Sequence, residues 1–500
     1  MHRALDILEL VEMICDHLQS EPKRLPDLNA FARTCKFFLF PALDLMWEKQ
    51  YVLINLVKCM PSDLWAETAE GEHSVFNLLR PITPADWERP LIYASRIKHF
   101  VLMFPHNMLS AYVFETLSLC IPREQLFPNL ETIAWAPRTQ QLYPYIRLFL
   151  GPKIHGVVFH YPNSISALSL LPALSLKYPA LKLAKLRADI PDDDDPQLLL
   201  DDDELKLRSI STFVRGLTEI ISLDLDIIDQ GAFEHLGRLT TLRFLNIGEL
   251  HRLEPSNSLP RLSFPALATL HFRDTRLELA SAYIGMLSES KLAMLDVAIT
   301  APATTPTTTH FYATLTINCP HPDLQILEVQ NTEWYSQGIA DPAHYVVPSA
   351  SLRLLCCFPN LVVLRLQSPA GFDLDDATVW ALARAWPRLR ILSLTADTDA
   401  EHHPSRVSLD ALCAFAQHCP ALAHLSITLD AVAVPPVEAA SDRPIQTCLV
   451  MLNVAASPIS TPSHVAAFIS KLFPTLLALI AHTEEEDEDG DDGDGALWEQ

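Results

Sequence analysis

Five hundred residues with 49% hydrophobic side chains are ample for a substantial buried core, so the chain is not disordered overall. A formal charge of −24 disfavours direct nucleic-acid binding, because an acidic surface repels phosphate backbones. Three runs, Asp192 to Asp195, Asp201 to Glu204 and Glu484 to Asp494, hold 17 of the acids and leave a balance of −7, ordinary for a soluble domain. The ten cysteines form no CxxC pair and no zinc-type spacing, and they read as reduced thiols of a cytoplasmic or nuclear protein. No apolar run suits a signal peptide, and none reaches the about 18 residues of a membrane span, so no membrane partner is expected.

In chain order, the first element is ILELVEMICDHL, where Ile7, Leu10, Val11, Ile14 and Leu18 share one stripe at a 3.6-residue period. A polar break around Glu21 to Pro26 follows, then a second helical run, LPDLNAFARTCKFF, and then PALDLMW. Residues 1–50 therefore form a helical module, and 51–96 are expected to be a helical linker or N-terminal cap. From about residue 97 one pattern, apolar-x-x-apolar-x-apolar, returns fourteen times, from IKHFVL at Ile97 to LLALIA at Leu476. The intervals, 22 to 39 residues, are close to the roughly 20 to 29 of leucine-rich repeats, with longer ones where loops intrude.

Each copy predicts a short strand with alternate side chains inward, followed by a helix or turn that covers it. The fold class is then α/β: a short helical module and a repeat solenoid, a curved parallel sheet with outer helices, over 97–482. Between strands, SLDALCAFAQHCPAL carries Ser408 as an expected N-cap and Pro420 as a stop. PSHVAAFISKLFPTL repeats this with Ser463 and Pro474, and DDATVWALARAWPRL with Asp376 and Pro387. An aromatic-or-Cys, Pro, x, Leu junction recurs, as in FPNL at Phe127 and CPAL at Cys419. Proline ends the helix and the leucine starts the strand. Three stretches fall outside the repeat: an acidic insertion at about 188–206, a Thr/Pro loop at about 300–310, and an acidic tail over 483–500 that is too charged to pack.

The chain has no GxGxxG, GxxxxGK[ST], GxSxG or HExxH, and its 13 glycines are few for phosphate-cradling loops. His402 and His403 precede Pro404 on an expected loop, and Cys356 and Cys357 line an expected repeat core. No catalytic residue, metal ligand or cofactor site can be named from these patterns, so a binding protein is expected rather than an enzyme.

The spacing in LELVEMICDHL, the ARTCK segment from Ala32 to Lys36 and the closing Trp47 together resemble an F-box. The family usually opens with Leu-Pro, where this chain has Ile7 and Leu8 before Glu9. The stretch RPITPADWERPLIYASRIKHF, from Arg80 to Phe100, resembles a segment typical of F-box proteins of mushroom-forming fungi. The resemblance implies a substrate receptor of a Skp-cullin-F-box ubiquitin ligase. The Skp adaptor would dock through Ile7, Leu8, Leu10, Val11, Ile14, Cys35, Phe38, Leu43 and Trp47. An unknown target protein would bind the concave face of the solenoid, lined by strand residues such as Arg365, Ser393 and Ser426. The alternative is a leucine-rich-repeat scaffold or regulatory binding protein unrelated to ubiquitin, its N-terminal helices serving as the cap such arrays need.

Overall fold

The computed structural model describes residues 7–20, 24–70, 73–103, 107–137, 140–161, 164–188, 203–253, 260–288, 290–319, 321–332, 341–396, 405–435, 444–455 and 457–481. The chain divides into two compact units, Met1–Asp224 and Leu225–Gln500. Residues 189–202 of the acidic insertion, the His402–His403 pair and the tail from 482 lie outside the described residues.

The first unit opens with helices α1 (Leu8–Ser20), α2 (Arg24–Ala32) and α3 (Lys36–Glu48). They close around a small core of Val11, Cys15, Leu28, Ala32, Phe38 and Ala42. The Phe31 and Phe38 rings stack there with centroids 4.4 Å apart and planes within 2°. Strand β1 (Lys49–Gln50) leaves α3 directly and pairs in parallel with β4 (His99–Met103). Between them run α4 (Ile54–Val57), strands β2 (Trp65–Glu70) and β3 (His73–Leu78), and α5 (Glu88–Ala94). Strands β2 and β3 are an antiparallel hairpin that β5 (Asn107–Leu109) extends in parallel. The helical linker or cap expected over 51–96 is corrected to the extent that it holds this strand hairpin besides α4 and α5. Trp65 and Phe76 stack at 5.1 Å across the hairpin, and this cross-strand pair selects strand over helix.

Helix α6 (Ala111–Cys120), strands β6 (Thr132–Ala136) and β7 (Gly156–Tyr161), helix α7 (Ile165–Lys177), strand β8 (Leu183–Ala188) and helix α8 (Asp203–Arg215) lead to β9 (Ser222–Ile228). The parallel order is β1-β4-β6-β7-β8-β9, with the division between units falling inside β9. The fourth residue of each sequence copy stands opposite the fourth of the next: Phe100 with Ile133, Ile133 with Val157, Val157 with Ala184, and Ala184 with Leu223.

The second unit contains α9 (Gln230–Leu236), β10 (Phe244–Leu250), β11 (Thr269–Thr275), α10 (Leu277–Ile284), β12 (Met294–Ile299), α11 (Thr305–Asn318) and β13 (Ile326–Asn331). It continues through β14 (Val347–Pro348), α12 (Ser349–Leu354), β15 (Val363–Ser368), β16 (Phe372–Asp373), α13 (Asp376–Ala385) and β17 (Ile391–Ala396). Helix α14 (Leu412–His418), β18 (His424–Ser426), β19 (Met451–Ala455), α15 (Pro462–Leu472) and β20 (Ala478–Ala481) complete it. Strands β10, β11, β12, β13, β15, β17, β18, β19 and β20 are parallel neighbours in that order. The same register holds, Leu270 facing Leu295, Leu327 facing Leu364 and Leu425 facing Leu452, and all six of these leucines are buried. All fourteen sequence copies lie on strands of the parallel sheets. Burial of each inward Leu, Ile or Val contributes about 1.5–3 kcal/mol, which is why the pattern survives wide variation in the intervening residues.

The junction motif has a shared geometry. Backbone N–H groups of Leu130, Leu181, Leu267, Leu361, Leu389, Leu422 and Leu476 each donate to the carbonyl three residues earlier, on Phe127, Tyr178, Phe264, Phe358, Trp386, Cys419 and Phe473, at 3.1–3.4 Å. Each is a β-turn with proline second, where its fixed φ suits the turn. The residue before proline is biased away from the helical conformation. Accordingly Tyr178, Trp386, Cys419 and Phe473, which end α7, α13, α14 and α15, all leave the helix at ψ between 62° and 73°.

Four local expectations need correction. The Thr/Pro stretch is a loop only to Thr304, and α11 starts at Thr305 with Pro306 in its first turn, where the missing N–H costs nothing. The Thr309 and Thr314 hydroxyls bond the carbonyls four residues back, 2.8 and 2.9 Å away, so hydroxyl-rich composition does not prevent the helix. The acidic insertion ends earlier than expected, since Asp203 and Glu204 form the first turn of α8, where carboxylates favour the helix dipole. Asp375, not Asp376, caps α13, accepting from Thr378 N at 2.8 Å, and Asp376 accepts from Ser408 N and Oγ, both at 2.7 Å. Thr461, not Ser463, holds the cap position of α15, because Pro462 is its first residue.

Candidate functional site

The helical module carries the residues expected to dock an adaptor, and their placements divide. Val11 and Phe38 lie in the three-helix core. Ile7, Leu8 and Leu10 are exposed, and Ile14, Leu43 and Trp47 are half-buried. Cys35 caps α3, its Sγ accepting from Phe37 N at 3.4 Å. Four further apolar side chains, absent from the expected set, are exposed on the same three helices: Met13 (65%), Leu25, Phe37 and Phe40 (60%). Phe37 and Phe40 are three residues apart, a spacing that puts both on one helix face. That spacing was visible in KFFLFPALDLMW.

The module is also fastened to the first repeat. Arg96 pairs with Asp44, and Lys98 Nζ lies 3.0 Å from Glu48 Oε1. The Lys98 ammonium is held in its charged form by that hydrogen bond, which raises its pKa. The Trp47 ring stacks on Tyr93 at 4.6 Å, and the Arg96 guanidinium sits 5.6 Å from the Phe40 ring centroid. The Arg96–Asp44 and Lys98–Glu48 pairs line a groove of about 720 Å³ whose walls also carry Glu12 and Asp16 of α1 and Lys153. Helix α1 thus contributes Glu12, Cys15 and Asp16 to this groove.

The segment before the first repeat is braced by one buried carboxylate. Arg80 Nη1 and Nη2 donate to the two oxygens of Asp86 at 2.8 and 2.9 Å, and the Arg80 Nε donates to Asp63 at 2.8 Å. Thr83 N and Oγ1 donate to the same Asp86 oxygen at 2.7 and 2.8 Å. The Arg80 hydrogen bonds, aided by the Thr83 amide, hold the Asp86 carboxyl well below the usual carboxylate range.

In the second unit, the open side of the sheet presents two rows. One is polar: Asn246, His271, Asp296, Glu328, Arg365, Ser393, Ser426 and Asn453 stand opposite one another in register. The expected target-facing residues Arg365, Ser393 and Ser426 are therefore adjacent members of one row. His271 Nδ1 lies 3.1 Å from Asp296 Oδ2, Arg365 pairs with Glu328, and Arg273 donates to Asn246 Oδ1 at 2.9 Å. Two residues earlier runs a half-buried apolar row of Met294, Ile326, Val363 and Ile391. A polar row beside an apolar row can hold an extended segment of another protein, with hydrogen bonds on one side and apolar contacts on the other.

Thiol chemistry is unfavourable at the cysteines singled out from sequence. Burial pushes Cys356 and Cys357 up and Cys319 up to about 12, which keeps them as unreactive thiols. Among the described residues no group of three or more His, Cys, Asp or Glu is placed to hold a metal ion. Nor, among them, is any helix long and apolar enough to cross a membrane. No protein-family model matches this chain, and no curated protein matches it.

Proposed function

We propose that this protein is the substrate-recognition subunit of a Skp-cullin-F-box ubiquitin ligase. Helices α1–α3 dock on the Skp adaptor, and the open strand faces of the repeats bind a target protein. The observation that carries this reading is a three-helix module that closes its own core and still leaves Ile7, Leu8, Leu10, Met13, Phe37 and Phe40 exposed. Exposed apolar side chains gathered on so small a unit mark a protein-binding surface. The receptor contributes position alone: tethering a target beside the transfer machinery raises its effective concentration to roughly the millimolar range.

A second reading is favoured by the β1–β4 pairing, the Arg96–Asp44 and Lys98–Glu48 pairs and the Trp47–Tyr93 stack. In it the module is the cap of a repeat scaffold unconnected with ubiquitin. A pull-down with the purified Skp adaptor separates the two, comparing the wild type with a Leu10→Asp, Ile14→Asp double variant. Binding by the wild type and loss in the variant is the expected result. A wild type that does not bind leaves the cap reading, and equal binding by both removes α1 from the docking surface.

A further inference from the structure

The polar row of the second unit changes character along its length. From β10 to β15 its charged members are engaged inside the chain. His271 Nδ1 lies 3.1 Å from Asp296 Oδ2, Arg365 pairs with Glu328, and the neighbouring Arg273 donates to Asn246 Oδ1 and Leu225 O, both at 2.9 Å. From β17 to β19 the row is uncharged and consists of Ser393, Ser426 and Asn453, each opposite the next. Two residues earlier Ile391, His424 and Met451 stand opposite one another in the same way. All six are half-buried, and together they make a patch two rows deep and three strands wide. Among the described residues Ser426 Oγ has no hydrogen-bond partner, although Ser393 and Asn453 flank it. A hydroxyl screened from water and left unpaired is unfavourable. It changes direction by one staggered step about χ1, so a group laid over the row can capture it.

Electrostatics select what that group belongs to. A phosphorylated or acidic segment would have to draw Arg365, the row's one guanidinium, away from Glu328. A basic segment would compete for carboxylates that already contact Arg365 and His271. Covering a charge costs far more than covering a hydroxyl or amide that finds a hydrogen bond. An uncharged extended segment avoids both costs: its backbone and amide groups bond the Ser–Ser–Asn row, and its apolar side chains lie on Ile391 and Met451.

We propose that the β17–β19 patch binds an uncharged, extended segment of the target protein, with Ser393, Ser426 and Asn453 setting specificity, so that recognition does not depend on phosphorylation. This rests on the reading above that the open strand faces hold the target. The test presents the full chain with four kinds of immobilised synthetic peptide: uncharged peptides alternating polar and apolar residues, the same sequences phosphorylated on Ser or Thr, acidic peptides, and basic peptides. A Ser393→Ala, Ser426→Ala variant is run beside the wild type, with its fold checked by hydrogen exchange over 391–396 and 424–426. The wild type should prefer the uncharged kind, with an affinity that changes less than about twofold as salt rises from about 0.05 M to about 0.5 M. The variant should bind the same peptides about tenfold less tightly, the worth of two hydrogen bonds. Preference for any charged kind, equal binding by the folded variant, or no selection among the peptides overturns the proposal. Adaptor capture by the same preparation is scored separately: peptide selection without it removes the ligase reading and leaves this one standing, and adaptor capture without peptide selection does the reverse.

Discussion

Replacing Phe38 by alanine should unfasten the helical module while leaving the repeats intact. Phe38 is buried in a core of six residues and stacked face to face on Phe31. Removing a buried ring with little room for collapse costs about 3–5 kcal/mol. A helical unit of this size, without disulfide or metal, has about 3–5 kcal/mol to lose. The substitution therefore consumes most of what holds α1 and α2 to α3, and both should exchange backbone hydrogens almost as an unfolded chain does. Phe40→Ala is the control, because that ring is exposed and gives up little beyond its contact with Arg96, about 0.5–1 kcal/mol. Hydrogen exchange on the full chain, read separately over 8–20, 24–32 and 132–161, measures the difference. Should Phe38→Ala leave 8–20 and 24–32 within about twofold of wild type, the module is held from outside, by the rest of the unit, and not by its own core.

Two further outcomes are expected. Gln446 is a buried side chain that bridges two segments, donating to Leu422 O at 2.7 Å and accepting from Leu449 N at 2.8 Å. Gln446→Ala strands both backbone groups at about 1–3 kcal/mol each, so protection across β19 should fall measurably, and unchanged exchange there would refute the assignment. The Asp86 carboxyl has a pKa depressed chiefly by Arg80, so the stability it contributes is full above the ordinary carboxylate pKa of about 4 and is lost as pH falls below it. Asp86→Asn should weaken residues 80–94 at neutral pH and flatten their dependence on pH below about 4, measured by exchange or by limited proteolysis in an acid series.

The strands were legible because the constraint on them is strict. In the first thirteen copies a leucine at the first, fourth or sixth place is buried, and parallel register repeats the demand on every neighbour. The helix ends were legible for a different reason, the bias against α conformation before proline. What escaped was governed by contacts rather than pattern. WAETAE and HSVFNL are strands because Trp65 meets Phe76, a pairing no local window contains. The Thr-rich start of α11 is helical because Phe311, Tyr312 and Leu315 are buried beyond it. At the module, amphipathicity identified a stripe on α1 but not what it would meet: Val11 turned to the module's core, while Leu10 and Met13 did not. The spacing of Phe37 and Phe40 was legible in α3, but not that their rings would stay exposed while Phe38 between them went to the core.

The seven proline turns bear on how such a chain tolerates change over evolutionary time. Each one re-establishes the phase of its strand from four consecutive residues, independently of the length of chain that came before. Spacers of 25 or 37 residues therefore deliver the next leucine to the same place in the sheet. Insertions and deletions upstream of a turn are absorbed within one repeat instead of shifting all that follow, so the connecting segments are free to drift and acquire new surfaces while the ladder of strands stays fixed.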